Sequence, residues 1–107
     1  MQVINLTPHE LTLVGSNEEV IERIPSSGIT RVSEVVETLG NINGIPLVKK
    51  TFGKVEGLPD PQDGVVYYVS AITASAVQGR DDVVIGGESV RNDNGQIIGI
   101  KSFARMA

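Results

Sequence analysis

The stretch Val65–Asp82, VVYYVSAITASAVQGRDD, decides how the fold is read. Its opening Val65-Val66-Tyr67-Tyr68-Val69 is β-branched and aromatic, the composition that fits a pleated, half-buried strand. At Ser70 the character changes to a run of small residues, Ala71-Ile72-Thr73-Ala74-Ser75-Ala76. Ser70 suits an N-cap, because its hydroxyl can accept a bond from a first-turn N–H. Ile72, Ala76 and Val77 make a narrow apolar stripe at helical spacing, and Gly79 suits the left-handed position after a helix. Arg80 follows at once. Strand, capped helix, glycine stop and cation together form a candidate ligand-holding element, since a helix N-terminus presents unpaired N–H groups to an anion.

Outward from this element, strand signals dominate. Val3-Ile4-Asn5-Leu6 and Leu11-Thr12-Leu13-Val14 flank Thr7-Pro8-His9-Glu10 and read as two strands joined by a reversal, a candidate hairpin. Glu19–Ile24 reads as a strand ended by Pro25, whose missing N–H disfavours a central position. Ile29–Leu39 carries both a helical spacing of valines and many β-branched residues; the β-branching favours strand. Asn43-Gly44 is a strong two-residue turn, after which Ile45–Phe52 resumes extended structure. Leu58-Pro59-Asp60-Pro61 forms a rigid loop. Val83-Val84-Ile85 is a short strand, and Ser89–Asn92 pairs with Gln96–Ile100 across Asp93-Asn94-Gly95. Lys101 to Ala107 reads as a fraying strand end. No internal repeat or linker composition appears, so residues 1–107 are expected to form a single domain. The expected class is mainly β: a small antiparallel, partly open barrel or sandwich with one short helix, which comes too late for a βαβ series.

Composition narrows the function. The chain has no Cys, so disulfides and thiolate metal sites are excluded, and the expected compartment is the cytoplasm. No secretory leader is visible and no apolar run reaches the ~18 residues of a membrane span. Thirteen acids against nine bases give a net charge of −4. An acidic chain is a poor coat for long nucleic acid, whose phosphates need clustered Lys and Arg; Lys49, Lys50 and Lys54 are the only small basic group. With four aromatics, Phe52, Tyr67, Tyr68 and Phe103, the chain is also poor in stacking surface.

Catalytic signatures are missing. His9 is the sole histidine, and it would have to serve every Ser-His-Asp arrangement. There is no GxSxG, no Walker-type loop and no GxGxxG, while Gly86-Gly87 alone is a weak signal. No calcium-loop spacing is present, and one His without Cys cannot anchor a metal site. The expected catalytic, metal and cofactor sets are therefore empty. Arg80 and Arg91 remain as the charges able to grip a phosphate or carboxylate in fork geometry. Alternation along Tyr67-Tyr68 sends one ring to the core and the other outward, where it can stack on a base. The plain alternatives are that Arg80 meets the helix C-terminus or its neighbours Asp81 and Asp82, and that Arg91 faces solvent in a hairpin.

Ile4-Asn5-Leu6-Thr7-Pro8-His9 resembles the NLTPH start of a group of small phage and prophage proteins. The resemblance continues through Asn43–Val48, Phe52–Pro59, Tyr68-Val69-Ser70, Gly79–Val83 and Val90–Gly99. Gly86-Gly87 stands where that group has a Pro-Gly corner. By a looser analogy of size, β-rich build and lack of catalytic groups, the chain is similar to oligomeric phage sponges that sequester nucleotide-derived immune signals. That analogy implies a homo-oligomeric, non-enzymatic anti-defence protein holding a small phosphate-bearing nucleotide, such as a cyclic ADP-ribose isomer or cyclic oligonucleotide. In this reading the Ser70 helix start meets phosphate, Arg80 or Arg91 neutralises it, and Tyr67 or Tyr68 stacks the base. Asn5, Thr7 and His9 line the pocket. The alternative is a protein–protein module that inhibits a host enzyme or serves in the virion.

Overall fold

The computed structural model describes residues 1–106. Tyr67, 1% exposed, sits at its centre on β6 (Val65–Tyr68), which pairs in parallel with β1 (Gln2–Asn5) on one side and β7 (Val83–Gly86) on the other. The two-residue β10 (Phe103–Ala104) closes the far edge antiparallel to β7. Between β6 and β7 runs the six-residue helix α1 (Ala71–Ala76), whose Ala74 packs with Leu6, Tyr67, Val69 and Val83 into the main core. Small side chains let this short helix lie flat on the sheet, and Gly79 takes φ 97° to turn the chain back.

A second four-stranded sheet has the order β3 (Val20–Ile24), β2 (Leu11–Val14), β9 (Ile97–Ile100), β8 (Ser89–Arg91). Leu11, Val14, Val90 and Ile100 are its buried side chains. Two of the chain's passages between the sheets, from β7 to β8 and from β9 to β10, are tied by Gly87 N–H to Ser102 O and Lys101 N–H to Glu88 O, both 2.8 Å. Gly87 has no room for a side chain: a Cβ there would collide with Ser102.

The third unit is an arm. β4 (Arg31–Ile42) and β5 (Ile45–Glu56) form a hairpin of two twelve-residue strands, turned by Asn43 at φ 51° and Gly44 at φ 82° as a primed two-residue loop requires. It extends the molecule to 53 Å and raises the radius of gyration to 17.0 Å, where a compact chain of this length would have about 13 Å.

The expected class holds: a mainly β, open, sandwich-like fold with one short helix. The pairing is mixed rather than wholly antiparallel, because β1–β6, β6–β7 and β2–β9 run in parallel. The first two strands do not form a hairpin. Pro8 and the turn around it carry the chain from one sheet to the other: β1 pairs with the distant β6, while β2 pairs with the next strand, β3, and with the distant β9. One βαβ unit, β6–α1–β7, does exist: six helical residues suffice because the connection crosses only between adjacent strands.

Candidate functional site

A cleft of about 440 Å³ opens between the two sheets. Its apolar wall is Leu11 of β2, Ile85 of β7 and Ile97, Ile98 and Ile100 of β9. The polar groups in the lining are Thr7, His9 and Glu10 from the β1–β2 turn, Tyr68 from the end of β6, and Ser70 at the helix start. A concave, mostly apolar lining with a few placed polar groups is the ordinary form of a small-molecule site, and the volume falls in the usual range of roughly 300–1,000 Å³.

The turn that supplies Thr7 and His9 is built on Asn5, which is fully buried. Its side-chain amide donates to the carbonyls of His9 at 2.7 Å and Ile24 at 3.1 Å. Its Oδ1 accepts from the Thr7 amide at 3.0 Å and the Thr7 hydroxyl at 2.6 Å. All four hydrogen-bonding positions of one side chain thus fasten the turn to β1 and to the end of β3. Asn5 therefore shapes the cleft from behind and does not face it.

The two tyrosines separate as alternation requires. Tyr67 is core, with its hydroxyl donating to Asp60 O at 3.3 Å, so it cannot stack on a ligand. Tyr68 is the outward ring: half-buried, in edge contact with Phe103 at 6.2 Å, and part of the cleft. Burial raises its phenol pKa, which keeps the hydroxyl protonated and available as a donor.

Ser70 has the extended backbone of an N-cap, φ −69° and ψ 157°, but its hydroxyl makes no capping bond. It pairs with Thr73 Oγ1 at 3.1 Å, and Thr73 in turn meets Thr30 Oγ1 at 2.7 Å. This hydroxyl chain ties the helix to the base of the arm. The helix is only six residues long, and its start, Ser70 and Ala71, borders the cleft.

Neither arginine enters the cleft. Arg80 forms a two-pronged ion pair with Asp82, Nε to Oδ1 at 3.0 Å and Nη2 to Oδ2 at 2.6 Å, and also donates to Pro59 O at 3.0 Å. It borders a separate depression of about 160 Å³, where Arg105 donates to Asp81 O at 2.7 Å. Arg91 closes the β8–β9 loop by donating to Gly95 O at 2.7 Å. The sequence-based site is thus split: Thr7, His9, Tyr68 and Ser70 come together, whereas Asn5 and Tyr67 are structural and Arg80 and Arg91 lie elsewhere. The isoleucine wall was missed. Its one signal is Ile97-Ile98, where adjacent apolar residues occupy both faces of a strand.

The Arg80–Asp82 pair makes acid stability testable. The hydrogen bond from Arg80, reinforced by its charge and opposed by burial, holds the Asp82 carboxyl below its ordinary range. A carboxyl depressed in the folded state stabilises fully above its unfolded pKa of about 3.9 and loses that contribution as pH falls through the lower folded value. Between about pH 5 and pH 2 the urea midpoint of the native protein is expected to fall further than that of Asp82→Asn. Equal falls would show that the pair contributes nothing.

No group of three or more His, Asp or Glu side chains converges among the described residues, and no helix there is long and apolar enough to cross a membrane. Comparison with protein-family models, with curated proteins and with solved structures finds no match.

Proposed function

We propose that the chain is a non-catalytic binding protein of phage type that captures a small nucleotide-derived signal in the cleft between its two sheets. The observation that carries this reading is the convergence of Thr7, His9, Tyr68 and Ser70 with Ile85, Ile97, Ile98 and Ile100 around one cleft of about 440 Å³. A purine-sized ring enters between Tyr68 and the isoleucines, where apolar area is removed from water. The hydroxyls and the imidazole supply hydrogen bonds to the ring edge and sugar. Because no Lys or Arg lines the cleft and Glu10 does, phosphate stays at the open mouth, in solvent. This differs from a grip on phosphate: recognition rests on the ring and sugar. Release of the intact molecule, and not a product of it, is the expected fate, which fits a role in lowering a host cell's free signal during infection.

Calorimetry with cyclic ADP-ribose-type and cyclic oligonucleotide messengers tests the reading, followed by heat release and mass spectrometry of the freed molecule. At least one messenger is expected to bind and to return unaltered. Ile98, half-exposed on the cleft wall, offers a clean variant. Ile98→Asp is expected to weaken binding at least about tenfold, since it puts an uncompensated charge against the ring, while leaving the melting temperature nearly unchanged. Absence of binding across the panel, or recovery of a cleaved messenger, defeats the proposal.

A further inference from the structure

The arm exposes what a folded chain ordinarily covers. Val35, Val36, Leu39, Ile42, Ile45, Leu47, Val48 and Phe52 are each between 39% and 68% exposed. β4 and β5 pair only with each other among the described residues, so each offers a free outer edge over most of its twelve residues. An isolated two-stranded hairpin is marginal in water, and an apolar surface of this extent marks an interaction site.

Charge along the arm selects the partner. Arg31 and Glu56 pair across its base. Beyond them, β4 carries only acids, Glu34 and Glu37, and β5 carries only lysines, Lys49, Lys50 and Lys54. Edge lysines ordinarily blunt strand addition. Here they do so only against their own kind. Joining β4 to β4 of another copy would set carboxylates against carboxylates, and joining β5 to β5 would set ammonium groups together. Joining β4 of one copy to β5 of the next sets acids beside lysines, as cross-strand pairs favour. The register within the arm already shows the match, with Glu37 opposite Lys49.

We propose that the arm is an assembly element, in which β4 of one copy pairs along its free edge with β5 of the next copy. The contact is head-to-tail, so it closes into a ring when each arm supplies both edges. Strand direction is consistent: arms pointing the same way continue one antiparallel sheet. Pro46 has no N–H to donate, so the shared ladder runs between it and the arm's base. Two arms would close only four strands, whereas a barrel interior just accommodates its side chains at about eight. Two copies are therefore too few, and four supply the eight strands. Closure removes both free edges, and either face that turns inward carries acids and lysines together, Glu37 with Lys49 or Glu34 with Lys50.

Native mass spectrometry of the ligand-free full chain tests this independently of the cleft, because no messenger is involved. The native protein is expected as assemblies of three or more chains. Glu34→Lys with Glu37→Lys in one chain makes both edges basic, and Lys49→Glu, Lys50→Glu and Lys54→Glu together in another make both acidic beyond the arm's base. Each variant alone is expected to run as a single chain with unchanged circular dichroism of the body. Mixing the two in equal amounts is expected to restore assemblies containing an even number of chains, alternating in type. A native protein that stays a single chain or a pair overturns the proposal, and so does either variant keeping the native mass, or a mixture that fails to assemble.

Discussion

Replacement of Asn5 by leucine is expected to cost about 2–4 kcal/mol of stability and to abolish binding in the cleft, although Asn5 touches no ligand. Leucine keeps the branching and heavy-atom count of asparagine, with somewhat bulkier methyl groups, so most of the loss is polar in origin. The Ile24 carbonyl and the Thr7 amide are left without the side-chain partners they have in the native protein, and an unsatisfied buried group costs roughly 1–3 kcal/mol. The His9 carbonyl keeps its bond from the Thr7 hydroxyl at 3.2 Å, which limits the total. Set against the 5–15 kcal/mol typical of a whole domain, the loss is large. Urea denaturation followed by circular dichroism checks it. Binding should fail even under conditions where the variant remains folded, because Thr7 and His9 depend on Asn5 for their place. A folded Asn5→Leu protein that binds with native affinity would show that the turn is held by other means.

Tyr67→Ala is the second large effect, expected at about 3–5 kcal/mol, the range for emptying an aromatic site in a core. Tyr67 is 1% exposed, on the central strand of the first sheet and in contact with Leu6, Val69, Ala74 and Val83. Its removal opens a cavity beneath both flanking strands and the helix. Tyr67→Phe should cost less than about 1 kcal/mol, because the bond to Asp60 O is long and a typical hydrogen bond contributes roughly that much. Denaturation midpoints should shift with little change in the slope against denaturant. If the phenylalanine variant proved as damaging as the alanine one, the hydroxyl and not the packing would be the dominant contribution. The neighbouring tyrosine should behave in the opposite sense, with Tyr68→Ala affecting ligand more than fold.

Local chemistry was legible wherever a few adjacent residues decide the outcome. Asn43-Gly44 takes positive φ at both positions, because asparagine and glycine tolerate it and the flanking Ile42 and Ile45 do not. The β8–β9 loop closes on Asn92, whose Oδ1 accepts from the amides of Asn94 and Gln96 at 2.9 and 3.0 Å. Most of Ile29–Leu39 resolves as strand, as its β-branching implied, but the strand starts at Arg31, runs on to Ile42 and leaves the body of the protein. The site was half legible. Thr7, His9, Tyr68 and Ser70 do meet, while the isoleucines that line the cleft with them come from strands about fifteen residues or more away in sequence.

Sequence by itself determined the class, the turns, the helix position and the division of acids and lysines between the arm's two strands. These depend on φ preferences, branching at Cβ and side-chain charge, which act within a few residues. Tertiary structure alone decided the fate of Val65–Asp82. Parallel pairing of β6 with β1 brings together segments about sixty residues apart, and that pairing turns Tyr67 inward and leaves Tyr68 at the cleft. Arg80 could have faced a pocket or its own neighbour. Asp82 and the Pro59 carbonyl, placed beside it by the turn after the helix and by the loop before β6, satisfy its guanidinium at short range. No local rule selects between those outcomes, because the choice depends on where distant backbone acceptors stand once the sheet has formed.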